Sequence, residues 1–493
     1  FSILSLTVLF FMNFGMVSEG GDAQWIFRAI PSAIPYLNLL ILNVAQAIIA
    51  VFLASDFLKR DKKLDTTEVI YMRSMTNGEY VIGKTLGNIQ VFMVLNFAIL
   101  GMALVYNLLA QNTYVPWDSY IIYLLLISIP TLIYIMGLSF LLMSVIRNQA
   151  VTFVIILGYI GITLFLVQGE FYYLFDYMAF NIPMLRSEIT GFGNLGVVLA
   201  HRGIYLSLGL GFIFMTIFLL KRLPQSESTT IFSLVFGILF LATGGFLAYN
   251  HVSRFVRQDR LRAEVISLNN RYAPRAMADA DSHTIKLKHT GDRVEAVSQL
   301  EVVNNTAQPI DSLIFSLNPG LELTAAQVNG QPVTAIRKVH LVMVPLPAPL
   351  APAAKTSVQL EYAGRINEAV CYLDIDKETR TKKFGDFVIN VDKRFAFITP
   401  GYVLLSREAN WYPTPGVTFS PDKVGWNRLY FTHFNLEVET DTALQAVSQG
   451  TITRTAPGRF SFQPENPLTQ ISLAIGKYEQ KKFEADGIEF GVW

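Results

Sequence analysis

Gly78-Glu79-Tyr80-Val81-Ile82-Gly83-Lys84-Thr85 matches the phosphate-binding pattern G-x-x-x-x-G-K-[ST] letter for letter. That pattern works when a glycine-rich loop, set between a buried strand and a helix, points its N–H groups at phosphate and its Lys reaches the terminal group. Here Arg73-Ser74-Met75-Thr76-Asn77 stands where the strand should be, and an apolar run follows. No α/β pattern nearby offers an Asp for Mg²⁺. The letters lack the elements that give them chemistry, so nucleotide is not expected to bind here.

The other reactive residue types are scattered. The histidines are His201, His251, His283, His289, His340 and His433, and no H-E-x-x-H occurs. His283 and His289, six apart on an alternating segment, share one face, yet no third ligand lies near and zinc needs at least three from the protein. They are expected as surface histidines. No G-x-S-x-G nucleophile elbow occurs. Cys371 is the single cysteine, which excludes an internal disulfide. Asn304-Asn305-Thr306 is a glycosylation sequon in a secretory host and otherwise a turn. No catalytic or metal-binding residue is expected in this chain.

The elements that carry these residues are set by hydropathy. Residues 35 to 55 run without Asp, Glu, Lys or Arg, and at least four similar stretches follow before residue 251. About 20 apolar residues cross a bilayer as a helix, and a charge at its centre costs roughly 2.5–3.5 kcal/mol on insertion scales. Residues 1–250 hold 24 charged residues and residues 251–493 hold 53, so the charge content divides the chain in two. A net charge of +1 gives no case for nucleic acid. The chain opens at Phe1 inside an apolar run with no basic region or cleavage site, and is expected to be a fragment rather than to begin with a signal peptide.

Seven spans are expected: 1–17, 35–55, 86–110, 119–146, 149–168, 203–220 and 230–250, with Pro130 kinking the fourth. Lys59, Arg60, Lys62, Lys63, Arg73 and Lys84 in loop 56–85, Arg147, and Lys221 with Arg222 fall on one side, which the positive-inside rule makes cytoplasmic. The seventh span then leaves the rest of the chain outside the cytoplasm. Arg254, Arg257, Arg260 and Arg262 oppose that orientation and read as an interfacial helix with Val252, Phe255 and Val265 toward lipid. Residues 169–202, with Glu170, Asp176, Arg186 and Glu188, are expected as a mobile outer loop, the alternative being short re-entrant or interfacial helices.

From about Ser282 the pattern alternates, as in Thr284–Lys288 and Val297–Val302, and Asn318-Pro319-Gly320, Asn329-Gly330, Pro345 to Pro352 and Ala456-Pro457-Gly458 mark turns. Further strands are expected at 313–317, 321–328, 339–344, 357–362, 387–391, 431–439, 459–462 and 471–475. The fold class is thus a polytopic α-helical membrane domain followed by an all-β sandwich or saddle domain.

Two resemblances sharpen this reading. Loop 56–85, with Thr67-Glu68 and then Glu79-Tyr80…Gly83-Lys84 entering the third span, resembles the coupling loop of type-2 ABC exporter permeases. The resemblance covers about 1–222 and implies a loop that docks on a separate ABC ATPase subunit through Asp65, Glu68, Arg73, Glu79, Gly83 and Lys84. ATP would then bind only on that subunit, and the permease would work as a dimer or with a second permease half, in membrane lipid. The second resemblance follows the order of Asp311–Pro319, Val328–Val333, Val358–Gly364, Asn410-Trp411-Tyr412-Pro413, Phe434–Glu439 and Ser472–Glu479. These look like the N-terminal β-domain of aminopeptidase-N-like gluzincins over 283–493. There zinc belongs to a following catalytic domain, toward which Gly487–Trp493 would lead. Leu404–Ala409 lacks the Gln that family often uses for the substrate's N-terminus.

The expected domains are 1–222, permease-like; 223–268, an added span and juxtamembrane helix; 269–282, a linker; and 283–493, the β-domain. The expected function is the permease component of an ABC-type exporter in a bacterial inner membrane, carrying an extracytoplasmic aminopeptidase-like module that meets or trims peptide-like substrates. The rivals are a membrane-anchored zinc aminopeptidase and a non-catalytic receptor.

Overall fold

A computed structural model describes residues 2–17, 30–55, 75–110, 114–220, 227–376, 379–380, 391–419, 430–485 and 488–492. The chain forms two compact units, Phe1–Val256 with Lys383–Asp392, and Arg257–Lys382 with Lys393–Trp493.

Among the described residues the first unit holds the helices α1 (Ser2–Val17), α2 (Ala33–Ser55), α3 (Asn77–Leu109), α4 (Trp117–Ile146), α5 (Gln149–Phe165) and α6 (Leu195–Leu219), with α7 (Glu227–Tyr272) beginning in it. Every expected span falls on a helix. Five, α2, α3, α4, α6 and α7, are long and apolar enough to cross a membrane, while α1 and α5 are shorter apolar helices.

The boundaries differ where polar residues hide helix. α3 starts at Asn77, not 86, because Thr76 and Glu79 form a reciprocal capping box that satisfies two of the first free N–H groups. The phosphate-loop look-alike is therefore the first turns of a helix. α6 starts at Leu195, which brings His201 and Arg202 into it, and α7 continues to Tyr272.

Glycines set the closest helix contacts. A Cβ on Gly209 of α6 would lie 2.7 Å from the Ile133–Tyr134 backbone of α4, and one on Gly137 would lie 2.5 Å from Gly209 O. Small residues let backbones approach where lipid gives no hydrophobic drive for association. Arg202 meets residues 126–131 and Gly209, seven residues on, meets 133–137, so α4 and α6 run parallel.

In the second unit β14 (Thr451–Ala456), β15 (Arg459–Gln463), β12 (His433–Glu439), β1 (Asp279–Thr290), β2 (Arg293–Val303), β8 (Lys355–Gly364), β4 (Leu321–Val328) and β5 (Gln331–Pro332) form one sheet in that order. Only the β1–β12 pair is parallel. The apolar face of this sheet shares a core with two four-stranded sheets, one in the order β11 (Thr414–Pro415), β3 (Ile310–Ser316), β7 (Leu341–Leu350), β6 (Ile336–Lys338), the other β13 (Gln445–Ser448), β16 (Leu473–Gly476), β10 (Tyr402–Leu405), β9 (Phe397–Thr399). The region is β-rich, as expected, and strict alternation builds it: Ile285 and Leu287 face in while Lys286 and Lys288 face out.

Two expectations are corrected. The turn at Pro345–Pro352 is mostly strand, since β7 runs to Leu350; among the described residues nothing pairs with its β6 (Ile336–Lys338) edge past Met343, and prolines are tolerated along such an edge. α7 reaching Tyr272 and β1 starting at Asp279 narrow the 269–282 linker to 273–278. The strand expected at 387–391 lies largely outside the described residues.

Candidate functional site

Pro130 has no N–H, so the carbonyl of Leu126, four residues earlier, loses its helical donor. The preceding turn, Leu124–Ser128, widens into a π-helix, which replaces the expected simple kink. Arg202 of α6 fills the gap: Nε donates to Leu126 O at 2.7 Å and Nη2 to Ile127 O at 3.4 Å. Nη2 also donates to Thr131 Oγ1 at 2.8 Å and Nη1 to Tyr177 O at 2.8 Å. Arg202 is 1 % exposed. Among the described residues no carboxylate lies within ion-pair distance. Asp176 acts on it through space while accepting the N–H groups of Phe180, Asn181 and Ile182 at 2.6–2.8 Å.

From Thr131 a chain of buried side chains crosses the bundle. Asn43 Nδ2 of α2 donates to Thr131 Oγ1 at 3.0 Å and Gln46 Nε2 to Asn43 Oδ1 at 2.7 Å. Asn96 Nδ2 of α3 donates to Gln46 Oε1 at 2.9 Å, and Ser128 Oγ of the π-turn to Asn96 Oδ1 at 2.7 Å. The chain leaves α4 at Thr131 and returns to it at Ser128, tying α2, α3, α4 and α6 together. Its members are all buried, and a satisfied polar network in a low dielectric fixes one arrangement strongly.

The connection between α5 and α6 is gripped rather than loose. Phe171, Tyr172 and Tyr173 have φ of 49°, 60° and 66°, three left-handed residues in succession that cost roughly 1–2 kcal/mol each. His251 Nε2 lies 2.9 Å from Tyr172 O, His201 Nε2 lies 2.9 Å from Tyr173 O, and Tyr205 donates its hydroxyl to Leu174 O. Phe255 stacks on Tyr172 at 4.8 Å. That contact, with the burial of Val265 against Val370 and Leu373, corrects the interfacial-helix reading for Phe255 and Val265, which face protein. Arg262 is likewise turned inward, donating to the carbonyls of Ala369, Cys371, Tyr372 and Ile375.

Of the expected coupling residues, Asp65, Glu68 and Arg73 lie outside the described residues. Glu79, Gly83 and Lys84 sit on the first two turns of α3, with Glu79 in the capping box and Lys84 Nζ 5.5 Å from the Tyr80 ring centre. Spacing and charge did not point to the Arg202 cluster. Arg202 borders the expected sixth span, and Asn, Gln, Ser and Thr leave no trace in a scan for charge. Pro130-Thr131 in α4, with Asn43 and Gln46 three apart in α2, is the signal that was there to read.

In the β unit, His283 and His289 are buried, which corrects their placement on the surface. They do share one face of β1, but it is the inner one. His283 Nε2 lies 3.0 Å from Ser298 Oγ, itself 3.2 Å from Tyr362 OH; His289 contacts Thr440 Oγ1 and Gly291 O. Desolvation holds His283 down at about 3. The Ser298–His283 pair resembles a nucleophile and its base, but both side chains, and Tyr362 beside them, are sealed in the core, out of reach of a substrate. Burial pushes the Cys371 thiol up to about 12, which makes it unreactive. Asn304 is buried too, donating to Gln308 O and Leu350 O, so the sequon is a turn. Among the described residues no group of three or more His, Cys, Asp or Glu could hold a metal.

No protein-family model matches the chain, and no curated protein matches it. Among solved structures, the M1 zinc metallopeptidase from Deinococcus radiodurans is 19 % identical with a TM-score of 0.32, over 43 % of this chain and 44 % of that one. A mutant of that enzyme bound to a Tyr-Ser-Ala substrate is 18 % identical with a TM-score of 0.33, over 44 % and 46 %. The chain spans about half the length of these structures. Likeness at this level assigns it neither an activity nor a substrate.

Proposed function

We propose that the helical unit is the permease component of an ABC-type exporter and the β unit an extracytoplasmic aminopeptidase-N-like module, acting together in transport or processing of peptide-like substrates. The buried network that joins Arg202 through Thr131 to Asn43, Gln46, Asn96 and Ser128 carries the first part. One apolar helix already anchors a protein effectively irreversibly, so an anchor gains nothing from a desolvated arginine and a π-turn. A helix that must switch between two arrangements does: the network holds one of them firmly, and a π-turn beside a proline is a place where the hydrogen-bond ladder can be re-drawn. The capped start of α3 supports coupling, since a firm helix end carries a push from loop 56–85 into the bundle.

In this reading ATP binds on a separate ABC ATPase that docks at Asp65, Glu68 and Arg73, and zinc belongs to a catalytic domain outside this chain. The protein sits in a bacterial inner membrane, as a dimer or with a second permease half. The test is co-purification of the full-length protein with an ABC ATPase subunit expressed together with it. Glu68→Lys with Arg73→Glu should abolish it while leaving the protein folded; undiminished co-purification rejects the coupling role.

The rival, a membrane-anchored zinc aminopeptidase, draws on the ordered strand segments of the β unit, with Trp411 and Tyr412 in its core. An H-E-x-x-H in the adjoining gene sequence, with a Glu about twenty residues on, would favour it. Its absence, beside a neighbouring ATPase gene, would favour transport.

A further inference from the structure

We propose that Arg254, Arg257 and Arg260 form a collar on α7 that binds the phosphates of anionic phospholipid headgroups where the helix leaves the hydrocarbon. The proposal rests on the membrane reading above. From Ile231 to Tyr249 α7 carries no charge, and at 1.5 Å per residue this run spans about 28 Å, close to the hydrocarbon thickness. Val235, Leu239 and Phe246 are more than half exposed and fall on one stripe of the helix. Arg257 follows Phe246 by eleven residues, three turns, and so continues that stripe, with Arg254 and Arg260 about 60° to either side.

Tyr249, 70 % exposed, marks the rim, where aromatic rings favour the headgroup level. Side chains of a helix lean toward its N-terminus, so Arg254 and Arg257 reach back toward the lipid edge. All three arginines are exposed and, among the described residues, have no hydrogen bond or ion pair. Asp259 falls about 100° or more from each of them around the helix. Arg262 shows the contrast, its guanidinium spent on carbonyls of the protein. A row of unpaired guanidinium groups beyond a lipid-facing stripe is complementary to phosphate in charge and geometry.

The test is native mass spectrometry of the full-length protein in detergent with added phosphatidylglycerol or phosphatidylcholine, beside alkaline extraction from membranes. The wild type should retain phosphatidylglycerol preferentially. Arg254→Gln, Arg257→Gln and Arg260→Gln together should lower that preference at least tenfold, the three Lys replacements should keep most of it, and all forms should stay in the membrane pellet. A wild type that is pelleted but shows no preference, or one the Gln variant keeps, overturns the collar and leaves the membrane reading intact. Release of the wild type at alkaline pH overturns both.

Discussion

Arg202 supplies from α6 the donor that Pro130 withholds from α4, its Nε 2.7 Å from the Leu126 carbonyl that the proline leaves without a helical N–H. The two residues are 72 positions apart, yet each makes sense of the other. A proline in mid-helix leaves a carbonyl that needs an outside donor, and a desolvated guanidinium needs acceptors.

That pairing is measurable. Arg202→Met should destabilise the protein in detergent by about 2–4 kcal/mol, since buried acceptors lose their donors. With Pro130→Ala already in place the same change should cost about 1 kcal/mol less, because the alanine brings an N–H that can donate to Leu126 O. Strictly additive effects in a double-mutant cycle followed by thermal unfolding would refute the compensation.

The glycines of the helical unit should be ranked by what a methyl group would meet. Gly209→Ala collides with backbone at 2.7 Å and should cost about 2–3 kcal/mol. Gly211→Ala meets the Leu241 side chain and should cost less, while Gly101→Ala meets nothing within 4 Å and should be neutral or stabilising. Equal melting temperatures for the three variants would contradict the close approach.

Phe171 offers an unusual test, because replacing a large aromatic should help. It is 57 % exposed with φ of 49°, so Phe171→Gly removes little packing and relieves about 1 kcal/mol of backbone strain. Phe171→Ala keeps the strain and should not stabilise. A glycine variant less stable than the alanine variant would rule out the left-handed turn.

The β unit should weaken in acid. Burial holds His283 and His340 at about 3, against about 6.5 for a solvated ring, so between these values the unfolded chain takes up protons that the native one refuses. Stability therefore falls as pH drops from about 6.5 toward 3, and more bound protons in the unfolded state set that sign. His283→Asn should flatten the slope of unfolding free energy against pH for the full-length protein. An unchanged slope would mean that His283 is solvated.

The sequence by itself determined the division into an apolar helical part and an alternating β part, the seven helical segments, and most strands, because burial in a layer or in lipid imprints a period on the residues that do it. Alternation also placed His283 and His289 on a common face. Which face was interior depended on what packs against β1, and only the tertiary structure supplied Ser298, Tyr362 and Thr440. The same holds for the polar cluster. Asn43, Gln46, Asn96, Ser128, Thr131 and Arg202 come from four helices, and nothing local in any one helix specifies a hydrogen bond to another. Periodicity reports what a residue's surroundings are like; which partner stands opposite is decided by chain segments far away in sequence, through the helix approach that Gly137 and Gly209 permit.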